Sequence, residues 1–249
     1  MLELRNPHSI LAALKQRPSA VRSIRISAQH PSDVWAEVAE VAKRCGVPVS
    51  AGRTEGPGVG RQRRGTERTG AGSANVEPPS PIPLSNLLQR RNGEHSHGIW
   101  LALDQIQDPQ NVGALFRLAG FFNVRGILMT RDRSASVNAT VCDVSAGGAE
   151  YVPFSVVSNL AQAMKKAQEH DIWLLGTSEH AASSIRQVSR DRNWMLVLGN
   201  EGDGIRRLTR ENCDVLCSLP PSGPIGSLNV ATAAAACLAI LTGDPAPGD

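Results

Sequence analysis

Aromatic residues are scarce: one tyrosine, four phenylalanines and four tryptophans in 249 positions, 4% of the chain. A platform that stacks successive bases of a single strand needs several aromatics close together, so such a surface is excluded as the main binding device. The five cysteines are odd in number and form no Cys-x-x-Cys pair, which argues against a disulfide framework and against a zinc knuckle. No metal is expected, and a reducing cytoplasm is the simplest compartment. No apolar run reaches the roughly 18 residues of a membrane span. The longest candidate, Val230 to Leu241, is short and alanine-rich, so no membrane is expected as a partner. The opening MLELRNPHSI has no basic stretch leading into an apolar one and does not read as a secretory signal.

What is present is a globular balance of 41% hydrophobic and 20% charged residues, with a net charge of +3. The position of that charge says more than its total. Between Gly52 and Gly72 stand Arg53, Arg61, Arg63, Arg64 and Arg68 against Glu55 and Glu67, an excess equal to that of the whole chain. The stretch is glycine-rich and lacks apolar periodicity, so a mobile basic loop is expected. It can follow a phosphate backbone through Arg61, Arg63, Arg64 and Arg68, or it can be a solvated linker; residue types alone leave both open.

Apolar spacing predicts a small α/β unit over residues 1–75. It contains a helix from Pro7 to Leu14, a strand over 21–26, a helix over 34–44 and a short strand over 47–49. Four prolines between Glu77 and Pro83, then a polar run from Arg90, place a linker at 76–97. Over 98–249 strands alternate with helices. Strands are expected at 99–103, 125–129, 172–175, 194–198 and 215–219, and helices at 111–122, 139–147, 160–169 and 228–241. That alternation means a mainly parallel sheet covered on both faces, with ligands beyond the carboxyl ends of its strands.

Three loops at those ends carry polar residues. The first, Asp104 to Gly113, has Asp108-Pro109 and Asn111 at a helix start, followed by Arg117. Arg117, six residues past Asn111 and somewhat under two helical turns on, can face the same side as Asn111. The second, Gly199-Asn200-Glu201-Gly202-Asp203-Gly204, lets backbone approach a ligand, although it is neither a dinucleotide fingerprint nor a Walker loop. The third runs from Leu219 to Asn229, with Ser227 and Asn229 flanking an alanine-rich helix that begins at 228. Each has a plain alternative: a common turn, a tight turn before a helix, and simple helix capping. The alanines suit core packing or a subunit contact equally.

Taken together and in order, the loops resemble the three motifs of the SpoU family of RNA ribose 2′-O-methyltransferases, part of the SPOUT superfamily. The segments Asp104-x3-Asp108-Pro109-x-Asn111-x-Gly113-x3-Arg117, Leu198-Gly199-Asn200-Glu201-Gly202-x-Gly204 and Ser227-Leu228-Asn229-Val230-Ala231 carry the likeness. Arg131 to Ala135, Asn138-Ala139-Thr140 and Ile205 to Glu211 look like the bacterial RlmB type, which methylates a guanosine of large-subunit ribosomal RNA. The N-terminal Pro7-His8-Ser9-Ile10 is more weakly similar to that family's small RNA-binding domain. Three departures stand out: Arg68-Thr69-Gly70 where relatives carry His-Gln-Gly, Pro221 where they carry methionine, and Ala231-Thr232 where they carry Ser-Val.

The resemblance implies a trefoil knot in the C-terminal domain, S-adenosylmethionine as cofactor, ribosomal RNA as partner and a homodimer. It implies cofactor contacts at Thr177, Leu198, Gly199, Leu219 and Leu228, and catalytic positions at Arg117, Asn111, Glu201, Ser227 and Asn229. Two other readings stay open, a transfer-RNA ribose methyltransferase and a non-catalytic RNA-binding assembly factor.

Overall fold

A computed structural model describes residues 1–27, 33–52, 71–89, 97–200 and 202–243. The elements begin with β1 (Leu2–Leu4), α1 (Pro7–Gln16), β2 (Val21–Ile26), α2 (Asp33–Arg44), β3 (Val49–Ala51), β4 (Gly72–Val76) and α3 (Leu84–Leu87). Then come β5 (Ile99–Asp104), α4 (Pro109–Phe121), β6 (Gly126–Thr130), α5 (Ala139–Val144), α6 (Gly148–Tyr151), β7 (Phe154–Val157) and α7 (Leu160–Gln168). The chain ends with β8 (Ile172–Thr177), β9 (Ser183–Ser184), β10 (Asn193–Gly199), α8 (Arg207–Glu211), β11 (Val215–Ser218) and α9 (Val230–Thr242). Two compact units result: Met1–Ser80 with Val137–Tyr151, and Pro81–Ser136 with Val152–Asp249. The division therefore falls within the expected linker, while residues 137–151, expected in the second domain, cluster with the first unit.

In the first unit, α1 starts where Asn6 accepts the His8 N–H at 2.9 Å and Pro7 takes the first helical position, the combination that leaves fewest orphan donors. Its buried Ile10, Leu11 and Leu14 pack against α2, which buries Trp35, Val38 and Val41. The sheet order is β1-β4-β2-β3, antiparallel except for the β2–β3 pair. Glu150, 4% exposed at its side chain, accepts two bonds from the Arg17 guanidinium at 2.7 and 2.8 Å. The single helix expected at 139–147 is instead two short ones. Ala146 and Gly147 adopt φ +48° and +101°, and left-handed backbone cannot continue a right-handed helix. The strand expected at 47–49 begins two residues later, because the Val47 N–H is already engaged by the Ala42 carbonyl closing α2.

The second unit is built on a seven-stranded sheet in the order β7-β6-β5-β10-β8-β11-β9, parallel throughout. Successive strand residues face opposite sides. On one face Trp100, Ala102, Leu128, Leu174, Met195 and Val197 meet Leu160, Met164 and Ala167 of α7 and Leu87 of α3. Each such large apolar side chain contributes roughly 1.5–3 kcal/mol on burial. Trp100 also donates its indole N–H to the Leu87 carbonyl at 2.9 Å, so its one polar atom is satisfied. α4 and α9 pack against one another and against β6 and β10 respectively. No helix among the described residues is long and apolar enough to cross a membrane.

Candidate active site

β8, β10 and β11 are neighbours in the sheet and end on the same side, so their following loops converge. They surround a cavity of about 820 Å³ lined by Thr177 to His180, Leu198 to Asn200, Gly202 to Ile205 and Ser218 to Leu228, with Arg210, Val230, Ala233 and Cys237. That volume is within the usual range for a small-molecule site. Thr177, Leu198, Gly199, Leu219 and Leu228, from three separate strand ends, all line it, as does Ser227.

Gly199 has no room for a side chain. A Cβ there would collide with the backbone of Gly204 and Ile205, because the chain doubles back at once. Asn200 and Gly204 exchange backbone bonds, Asn200 N–H to Gly204 O at 3.1 Å and Gly204 N–H to Asn200 O at 2.8 Å. Gly204 sits at φ +67° to close that turn, a conformation glycine takes without penalty. The turn is tied to the loop after β5 at two points. Asn200 Nδ2 donates to the Gln105 carbonyl at 3.0 Å. Asp104, fully buried, accepts the Arg206 backbone N–H at 3.0 Å and its guanidinium Nε and Nη2 at 2.7 Å each. Gln105 itself is left-handed at φ +60°, which turns the backbone at the end of β5 so that both contacts can be made.

The loop after β5 does not line the cavity, but it reaches the third loop. Asn229 Nδ2 donates to Asn111 Oδ1 at 2.9 Å. Asn229 also caps α9, its Oδ1 accepting from Ala231 N–H at 2.9 Å and Thr232 N–H at 3.4 Å. Asp108 caps α4 through Gln110 N–H at 2.9 Å, with Pro109 next. Two helix N-termini 118 residues apart are thereby joined by one amide pair.

Arg117 corrects an expectation. Six residues at 100° each place it about 240° around α4 from Asn111. Asn111 is buried while Arg117 is exposed, off the cavity wall, and without an ion pair or hydrogen bond among the described residues. The two do not share a helix side. Glu201 and the candidate RNA-binding residues Arg61, Arg63, Arg64 and Arg68 lie outside the described residues.

Asp104, Gln105, Asn200 and Arg206 hold the loops together, yet the motif reading assigned none of them a task. The available signal was an acid at the end of the first parallel strand and an arginine just past the glycine loop. Cys217 and Cys237, also on the cavity wall, have thiols pushed by burial up to about 12 and about 11, so both stay protonated and unreactive near neutrality. No group of three or more metal-ligating side chains occurs among the described residues.

Residues 98–239 match the SpoU rRNA Methylase family model. The 23S rRNA (guanosine-2'-O-)-methyltransferase RlmB of Bordetella pertussis is 36% identical over 93% of this chain and 92% of its own. The enzyme of the same name from Xanthomonas campestris is 37% identical over 91% and 90%. Among solved structures, the SpoU methyltransferase AviRb of Streptomyces viridochromogenes in complex with AdoMet superposes with a TM-score of 0.75, at 22% identity, over 96% of this chain and 88% of that one. With the parallel sheet and the converging motif loops, these likenesses place the chain in the SpoU rRNA methylase family.

Proposed function

We propose that this chain transfers a methyl group from S-adenosylmethionine to the ribose 2′-hydroxyl of a guanosine in 23S ribosomal RNA. One observation carries the reading: Thr177, Leu198, Gly199, Leu219 and Leu228, the positions matched to cofactor contacts, border a single cavity. The residues present fit that cofactor. Leu198, Ile205, Leu219 and Val230 offer apolar wall for a purine, and Gly199 leaves backbone bare where any Cβ would collide. The relatives at 36–37% identity over nine-tenths of the chain supply the reaction and the RNA class.

Bound there, S-adenosylmethionine supplies a methyl group activated by its sulfonium. A 2′-hydroxyl is a weak nucleophile, so alignment is the protein's largest contribution. A guanidinium is a poor base, so the hydroxyl proton passes to solvent rather than to Arg117. Its role is to grip the adjacent phosphate and stabilise negative charge developing on the 2′-oxygen. Glu201, Ser227 and Asn229 orient the ribose, and Asn111 holds Asn229 through the hydrogen bond its Oδ1 accepts from Asn229 Nδ2. The reading includes a trefoil knot, a homodimer built through the second domain, a cytoplasmic location, and RNA binding by the first 75 residues with Arg61, Arg63, Arg64 and Arg68.

Tritium transfer from labelled S-adenosylmethionine tests it. Label in the ribose of a 23S guanosine supports the proposal. Label in transfer RNA replaces it with a transfer-RNA methyltransferase, and RNA binding without label leaves an assembly factor.

A further inference from the structure

Three arginines stand close together in sequence after the glycine turn, and their surroundings differ. Arg206 is paired with buried Asp104 and Arg207 with Glu211 at 2.6 Å. Arg210 makes no side-chain hydrogen bond or ion pair among the described residues, and it is the one arginine or lysine on the cavity wall among them. Among the described residues, two carboxylates share that wall. Asp203 has no side-chain partner among the described residues, and Glu179 has only an exposed contact with His180 at 3.5 Å. Arg210, Glu179 and Asp203 thus border the cavity as exposed charges whose one side-chain contact of this kind among the described residues is that of Glu179 with His180.

The signs of these described charges mirror those of the proposed cofactor. S-adenosylmethionine carries two cations, its ammonium and its sulfonium, and one anion, its carboxylate. Arg210 offers the planar donors that suit a carboxylate, and Glu179 and Asp203 offer acceptors for an ammonium and a negative field for a sulfonium. Loss of the methyl group removes the sulfonium charge, so S-adenosylhomocysteine keeps one cation and one anion.

We infer that Arg210 recognises the carboxylate of the methionyl group, and that Glu179 and Asp203 form an acidic wall favouring the sulfonium cofactor over its demethylated product. This rests on the reading of the cavity as the S-adenosylmethionine site. The wall's charge opposes retention of spent product less by contact than by loss of an attraction, because neutralising the sulfur removes one of two favourable terms.

Calorimetric titration of the full chain with three ligands tests the assignment: S-adenosylmethionine, S-adenosylhomocysteine, and 5′-methylthioadenosine, which has neither ammonium nor carboxylate. Arg210→Gln is expected to weaken the first two alike, by about tenfold, the scale of one charge-assisted hydrogen bond, and to leave methylthioadenosine unchanged. Glu179→Gln with Asp203→Asn is expected to weaken S-adenosylmethionine at least about threefold more than S-adenosylhomocysteine, the excess shrinking as salt is raised. Equal losses for all three ligands would mean the side chains act through the fold and would overturn the inference. Equal losses for the first two in the acidic double variant would overturn the discrimination. If the unmodified protein binds none of the three, the reading of the cavity itself falls; if it binds them and the variants show no selectivity, only this inference does.

Discussion

The carboxylate of Asp104 is fully buried, and three donors of one residue, Arg206, converge on it at 2.7 to 3.0 Å. Asp104 ends β5, the strand beside β10, and Arg206 follows the turn that β10 opens into. The pair thus closes a bracket across two neighbouring strand ends and holds the turn carrying Gly199 and Gly204.

Asp104→Asn keeps the shape of that bracket and removes its charge. Breaking a buried pair from one side costs about 3–5 kcal/mol, and the exposure of Arg206 lowers the expected loss to roughly 2–3 kcal/mol. Urea unfolding measures it. A loss within experimental scatter of zero would mean that the hydrogen bonds, and not the charge, hold the turn.

Gly199→Ala puts a methyl group into the backbone of Gly204 and Ile205. The turn must open to admit it, displacing cavity wall on both sides. We expect S-adenosylmethionine affinity to fall at least about tenfold, read by calorimetry, with circular dichroism showing a folded protein. Unchanged affinity would show that the turn can move without cost to the site.

Arg117→Ala separates binding from chemistry. Arg117 is off the cavity wall, so cofactor affinity is expected to stay within about twofold while methyl transfer drops by roughly 100-fold or more, the scale of one lost charge-stabilising donor. Activity within a few-fold of the unmodified protein would remove Arg117 from the mechanism.

Light scattering of the full chain is expected to give twice the 26.5 kDa of one chain, as closed two-fold symmetry requires. Phe121, on α4 in the second unit, is 81% exposed, and Phe121→Glu is expected to shift the distribution toward monomer. A monomer before substitution would overturn the dimer.

Replacing Arg61, Arg63, Arg64 and Arg68 by serine tests the basic stretch. Each phosphate neutralised on single-stranded RNA adds roughly 0.7 to the slope of log affinity against log salt, so the slope should flatten by up to about 3. The rate at saturating RNA should hardly change, since such contacts are equal in ground and transition states. An unaltered slope would make the stretch a solvated linker.

The parallel half was legible because its strands are buried on both faces and read as apolar runs. The strand expected at 194–198 is observed at Asn193–Gly199, and the helix expected at 160–169 at Leu160–Gln168. β1, β4, β7 and β9 were not among the expected strands, and β4 shows one physical reason. Gly72-Ser-Ala-Asn-Val has almost no apolar alternation, and β4 is a strand only because β1 and β2, some 50 residues or more earlier, supply its hydrogen bonds. The turn at Ala146 and Gly147 was invisible for a related reason: alanine rarely declares left-handed backbone in advance.

Local chemistry by itself supplied the caps Asn6, Asp108 and Asn229, although α4 and α9 begin at Pro109 and Val230 rather than at the expected 111 and 228, and it determined where strands are buried. It also determined the three motif loops and hence the family likeness, because these features depend on neighbours within a few positions. Tertiary structure alone decided that Asp104 faces Arg206 and that Asn111 meets Asn229. Those contacts join residues about a hundred positions apart. Side-chain spacing carries no record of such partners until the sheet brings its strand ends together.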